Sequence, residues 1–382
     1  MRAMSGSTLA LFACALNLST PAAWAGLPPR DEVLQLAERV ADWQLAHLDG
    51  AYLTHMKEES VNPRSWEQGA FWVGMTHLAD VSGMQRFSKA VLDMGRANQW
   101  KLGPRRYMAD DQVIGQSYLW AARHGAGAEA IGPLQAEFAA ILASPPVVHL
   151  SFVVPASGYG DTACLARWCW CDALFMAPPA WLELSRQTGV QRYAQFALDE
   201  FWATTGFLYD PAEKLYFRDS RFFDRRDAKD RKLFWSRGNG WVFAGIANML
   251  DALPKGSPHR SRLERLFRDM ASRLTALQKP DGYWPPSLLA PEGSPPETSG
   301  TGFYVYGLAW GVKHGLLGAS QYRTAIEKGW SALTRAVSID GKLGWVQQVS
   351  DRPDEVTEGD SQFYGVGAFL LAAGAVASLT EH

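Results

Sequence analysis

The chain has 382 residues, 37 Lys+Arg against 39 Asp+Glu and a formal net charge of −2, so it lacks the basic field that gripping nucleic-acid phosphates requires. With 47% hydrophobic and 20% charged residues it has the makings of a large core and is not a disordered chain. Its 16 Trp, 18 Phe and 12 Tyr can fill that core and also line a pocket that stacks on sugar rings.

The chain opens with Arg2, an apolar run from Leu9 to Leu18, and the small-x-small site Ala23-Trp24-Ala25. These predict a secretory signal over residues 1–25, cleaved before Gly26, and hence a periplasmic or secreted protein. The rest, 26–382, is expected to form a single domain. Past the signal stand Cys164, Cys169 and Cys171, too few for a disulfide framework and too tightly spaced for a zinc knuckle; they read as buried thiols.

Amphipathic helical spacing first appears over Asp31–Leu48, where Val33, Leu36, Val40 and Trp43 share a face opposite the charges. It returns in Met84–Trp100, Leu134–Leu142, Gln191–Thr204, His259–Gln278 and Gln321–Val337. Between these lie six stretches of another kind, each opening on polar residues and then running apolar and Gly-rich on every side. They start near Glu67, Asp111, Asp172, Asn239, Ser299 and Ser361. A helix that is hydrophobic all round is buried. The last stretch, uncharged from Ser361 to Leu379, also has the composition of a membrane span, but its five companions argue for burial. Six surface helices alternating with six buried ones predict an all-α fold, an (α/α)6 barrel with an inner and an outer ring.

In such a ring the inner helices run the same way, so their polar starts converge at one mouth. That mouth collects Trp66 and Glu67; Asp110 and Asp111; Asp172; Trp235, Arg237, Asn239 and Trp241; Glu297, Thr298 and Ser299; and Asp360 and Ser361. Helix N-termini favour an anionic ligand there. Helix capping is the alternative account of the Asp, Ser, Thr and Asn residues, though not of Arg237 between two tryptophans. Asp172 follows Trp168-Cys169-Trp170-Cys171; a carboxyl desolvated in this way keeps its proton to higher pH and suits a general acid. Of the adjacent pair, Asp111 leads into the inner helix and is taken as the second site carboxylate. Trp235-Ser236-Arg237-Gly238-Asn239-Gly240-Trp241 offers a planar cation for a carboxylate and indoles for stacking. Ser144–Asp161 reads as a loop that roofs the mouth. No HExxH, GxSxG or Walker-type loop occurs, and the eight histidines show no ligand spacing.

The motifs CDALFMAPP (Cys171–Pro179), WSRGNGW (Trp235–Trp241), ETSGTGFYVYGLAWG (Glu297–Gly311), YMADDQVIGQ (Tyr107–Gln116) and DSQFYGVGAFLLA (Asp360–Ala372) resemble those of glycoside hydrolase family 105, the unsaturated rhamnogalacturonyl hydrolases, and more distantly those of family 88. The resemblance covers the mature chain. It implies the same barrel and release of a 4,5-unsaturated uronic acid from oligosaccharides left by polysaccharide lyases, through hydration of the vinyl ether. Asp172 would be the acid and base, Asp111 the second carboxylate, and Arg237 and Trp241 would bind the uronate and stack its ring; Trp235, Asn239, Trp66 and Thr298, gathered at the same mouth, are the further candidate substrate contacts. Where the family carries a histidine in the turn before RGNGW, this chain has Lys214–Asp219, and Arg218 is expected to take its place. No metal or cofactor is implied, no membrane contact beyond the signal, and a monomer or weak homo-oligomer is expected. The sugar linked to the unsaturated uronate is expected to be rhamnose from pectin, with an unsaturated glucuronyl hydrolase acting on another polysaccharide as the alternative. A lyase or conventional glycosidase on the same barrel, or a non-catalytic oligosaccharide-binding protein, are further alternatives.

Overall fold

The computed structural model describes Trp24, residues 26–55 and residues 57–380. Apart from Trp24, the expected signal segment lies outside the described residues. In chain order the helices are α1 (Arg30–Ala46), α2 (Lys57–Ser60), α3 (Trp66–Ser82), α4 (Gln85–Ala97), α5 (Ile114–Ala121), α6 (Ala128–Ala143) and α7 (Ala173–Met176). They continue as α8 (Pro178–Thr188), α9 (Gln191–Leu208), α10 (Ser236–Ala252), α11 (Arg260–Ala276), α12 (Thr298–Lys313), α13 (Ala319–Arg335) and α14 (Phe363–Leu379). A small antiparallel ribbon, β1 (Tyr209–Asp210) with β2 (Leu215–Tyr216), follows α9.

Burial separates two kinds of helix. On α11 the buried residues are Leu263, Leu266, Phe267, Met270, Ala271 and Leu274, one stripe at helical spacing. On α14 nearly every residue is buried, Ala375 and Ser378 being the exceptions. The buried helices pack in the order α3, α5, α7–α8, α10, α12, α14 and back to α3, which closes an inner ring. Outside it lie α1, α4, α6, α9, α11 and α13, as the expected (α/α)6 barrel requires. Glycine lets the inner helices approach: a Cβ on Gly74 of α3 would lie 2.5 Å from the carbonyl oxygen of Gly367 on α14.

Among the described residues no helix is long and apolar enough to cross a membrane, and α14 is an inner stave of the barrel. The cysteines depart from expectation. Among the described residues, Cys164 and Cys169 form a disulfide and Cys171 is a free, buried thiol. The 3-10 turn Ala163–Ala166 brings the first two within reach, which sequence spacing does not reveal.

Candidate active site

The third inner stave is broken. Asp172 precedes the single turn of α7, and Pro178 and Pro179 then restart the helix as α8. Asp172 occupies the position before α7, yet its side chain makes no capping hydrogen bond. It points instead toward a cavity of about 630 Å³ at the end of the barrel where the inner helices begin. Trp66, Trp170, Trp235, Met108 and Met176 give this cavity its apolar walls. Tyr159 and Gly160 come from the segment expected as a roof, which is fastened by Phe152 N–H donating to Ser220 Oγ at 2.8 Å. Val349 to Arg352 and Asp354, ahead of α14, complete the rim together with His55 and Glu59.

Asp172 is 8% exposed. Burial pushes its pKa above the usual carboxylate range, opposed by the positive charges of Arg218 and Arg237. Its Oδ2 accepts from the Cys171 thiol at 3.4 Å and lies 3.7 Å from Arg218 Nε. Asp110 lines the same cavity and receives no side-chain hydrogen bond among the described residues. It is open to the cavity but deep within the protein; burial pushes it up to about 8, Arg105 opposes this, and the nearby Asp172 adds to it. The site therefore holds two carboxyls, both biased toward the protonated form.

Asp111 is not one of them. It is 3% exposed and clasped by Arg105, through Nε to Oδ1 at 3.1 Å, Nη2 to Oδ1 at 2.6 Å and the backbone N–H to Oδ2 at 2.6 Å. The reason is local: the 3-10 turn Ala109–Gln112 rotates the two neighbours apart. This corrects the expectation that Asp111 faces the cavity.

Arg218 lies where the sequence places it, on the cavity wall after β2. Its Nη1 donates to Asp219 at 2.8 Å and its Nη2 to Tyr159 Oη at 3.1 Å. Trp66 and Trp235 also line the cavity, while four other expected contacts lie behind its wall. Arg237 is 1% exposed, stacks between Trp235 and Tyr364, and donates to the carbonyls of Gln347 at 2.6 Å and Gln348 at 3.0 Å. It anchors the loop that carries the rim instead of presenting a free fork to a ligand. Trp241 is fully buried against Phe303, Phe175 and Trp66. Asn239 locks β2 to α10 by bonding both backbone groups of Tyr216. Thr298 donates to the Gly344 carbonyl at 2.8 Å. Glu297 caps α12 by accepting from Ser299 and Gly300 N–H.

Tyr159, Trp170 and the 349–354 rim are not among the residues that the sequence singles out. Tyr159 carries a signal, an aromatic in a predicted roof loop. The rim carries none, because its residues reach the mouth through distant partners, among them Arg237, Tyr364 and Trp235 on residue 347 and Arg221 on Asp351. Among the described residues no group of three His, Cys, Asp or Glu side chains is placed to hold a metal ion.

The model for Glycosyl Hydrolase Family 88 matches residues 36–379, most of the chain. The chain belongs to glycosyl hydrolase family 88. A curated relative from Alteromonas sp. (strain LOR), named unsaturated 3S-rhamnoglycuronyl hydrolase, is 42% identical over 348 residues, 89% of this chain and 84% of that protein. A second of the same name, from Formosa agariphila, is 35% identical over 90% of each chain. Among solved structures, a family 88 hydrolase from Bacteroides vulgatus superposes with a TM-score of 0.80 at 27% identity, covering 92% of this chain and all of that one. A structure titled as a polysaccharide lyase has a TM-score of 0.77 at 26% identity, covering 91% and 97%. Structures assigned to family 105 share the barrel at 18% and 16% identity, a likeness of fold alone. The chain is a glycoside hydrolase of family 88, acting on oligosaccharide, which removes the non-catalytic alternative.

Proposed function

We propose that this hydrolase removes a 4,5-unsaturated uronic acid from the non-reducing end of a rhamnoglycuronyl oligosaccharide by hydrating its vinyl ether, with Asp172 as acid and then base. The observation that carries this reading is a buried, uncapping Asp172 held beside Asp110 in an aromatic-walled cavity. Protonated Asp172 delivers its proton to C4, and the positive charge that develops is shared between C5 and the ring oxygen. Water adds at C5 and returns a proton to the Asp172 carboxylate. The resulting hemiketal opens and releases the saccharide, so one water is consumed and the acid is regenerated. Asp110, neutral near pH 7, offers a hydrogen bond without adding a second negative charge to the site.

Arg218 and Tyr159 supply donors for the uronate carboxylate, and the faces of Trp66, Trp170 and Trp235 suit the sugar rings. The names of the two curated relatives favour a rhamnoglycuronyl fragment over a pectin-derived one. The composition of residues 1–25 supports a periplasmic or secreted location, and one chain suffices to line the cavity described.

The test is to incubate the protein with lyase-generated rhamnoglycuronyl and pectin fragments and follow the ultraviolet absorbance of the conjugated double bond. Loss of absorbance with release of saccharide is expected, faster on the rhamnoglycuronyl fragments. Saccharide release at constant absorbance would point to ordinary glycosidic cleavage. A rise in absorbance on intact polymer would point to a lyase. Either outcome sinks the proposal.

A further inference from the structure

Asp219 is fully buried beside the cavity but does not line it. Its carboxylate accepts from Arg218 Nη1 at 2.8 Å, Arg221 Nε at 2.9 Å, Arg221 Nη2 at 2.7 Å and the Arg221 backbone N–H at 2.9 Å. Burial works against its ionised form, but the hydrogen bonds and charges of Arg221 and Arg218 win and hold it below the ordinary carboxylate range. Arg218 therefore stands between two carboxyl groups and treats them unequally. Toward Asp219 it makes a hydrogen-bonded ion pair; toward Asp172 it turns Nε, 3.7 Å away, and that buried N–H has no hydrogen-bond partner.

We propose that Asp219 is a positioning residue for the reaction: by taking the Arg218 guanidinium as its own hydrogen-bonded partner, it keeps that charge from fully pairing with Asp172 and leaves the Asp172 carboxyl free to act as the acid. An arginine left to one carboxylate would hold it ionised, which is the wrong state for an acid that must protonate carbon. The other groups facing Asp172 do not replace this arrangement. Cys171 gives a weak thiol bond, Arg237 is committed to the Gln347 and Gln348 carbonyls, and Tyr159 accepts from Arg218 itself. Asp110 shares the cavity, and burial biases it toward its neutral form, so it brings no positive charge that could hold Asp172 ionised. Arg221 couples the pair outward to Asp351 on the rim, at 2.7 Å.

The inference rests on the reading of Asp172 as the acid, and the experiment separates the two. The pH dependence of kcat is measured for the wild type, Asp172→Asn, Asp219→Asn and Arg221→Gln, with thermal unfolding of each. In Asp219→Asn the freed Arg218 charge pairs with Asp172, so the alkaline limb of kcat moves down by about one pH unit or more. The rate at pH 7 falls roughly tenfold while the rate at the acid plateau is largely kept. Arg221→Gln removes positive charge from Asp219 and Asp351, so Asp219 draws on Arg218 more fully and the limb moves up. This second variant keeps the test sharp if Asp219→Asn folds poorly. A limb that stays put in both variants, moves the same way in both, or a loss of rate by one factor at every pH would overturn the inference. If Asp172→Asn turns over normally, the reading of Asp172 fails first; if it is inactive and the limbs do not move, only the role of Asp219 fails.

Discussion

Asp111 gives both carboxylate oxygens to Arg105, and its neighbour Asp110 is thereby left as the carboxyl that opens into the cavity. Two chemically identical residues, adjacent in sequence, differ only in what the fold brings to each. One is a clamp that shapes the chain after Gly103, whose N–H donates to the Asp111 carbonyl at 2.9 Å. The other lies near Asp172, with no side-chain hydrogen bond among the described residues to satisfy it.

The pair should separate on mutation. Asp110→Asn is expected to leave the melting temperature within a degree or two, or raise it above pH 7, while kcat falls on the order of 10²-fold. Asp111→Asn weakens an ion pair whose carboxylate is buried but whose arginine is half exposed, and should cost about 1–2 kcal/mol of stability. Urea unfolding and steady-state kinetics on both variants check this, and a stable, inactive Asp111→Asn would return the second carboxylate to Asp111.

Asp172→Asn keeps the size of the side chain and needs no cap replaced, since the native carboxyl caps nothing. Turnover should drop by about 10³-fold or more, with the fold and substrate binding retained. Binding measured by quenching of cavity tryptophans, beside a rate assay, tells loss of chemistry from loss of the site.

Sequence pattern alone casts Arg237 as a partner for a substrate carboxylate, a role in which its loss would raise KM sharply. Its two carbonyl acceptors on residues 347 and 348 change that expectation. Arg237→Ala should destabilise the protein by about 3 kcal/mol through an emptied site and unpaired carbonyls, and KM should follow only as the rim loosens. A hundredfold rise in KM at unchanged unfolding midpoint would restore the direct contact.

Glu67 sits fully buried in the first turn of α3, accepting from Ser60 Oγ at 3.2 Å, and burial pushes its pKa up to about 7. The native state thus holds a proton that the unfolded chain releases near pH 4.5. Stability contributed by this group is complete below that pH and is lost as pH rises toward 7. Glu67→Gln should remove the slope and leave the protein more stable at pH 8, by roughly 3 kcal/mol at most. Unfolding free energies between about pH 4 and 8 for both proteins decide it; parallel curves would refute the assignment.

Much of this protein is written in local pattern. The stripe on α11 and the all-round apolar character of α14 each follow from spacing within one helix, and so the alternation of outer and inner helices is legible in the sequence itself. So is Asp172, because its apolar neighbours are its sequence neighbours. What depends on distant partners is not legible. Asp110 and Asp111 have the same periodicity and composition around them, and only Arg105 in its folded position tells them apart. Arg237 meets carbonyls 110 and 111 residues away, which turns an apparent ligand contact into a loop anchor. Cys164 and Cys169 pair because a 3-10 turn closes the distance between them. Hydrophobic periodicity is a property of one element and determines which residues go inside; the direction of a polar side chain in a turn is set by whichever donor or acceptor the tertiary structure delivers to it.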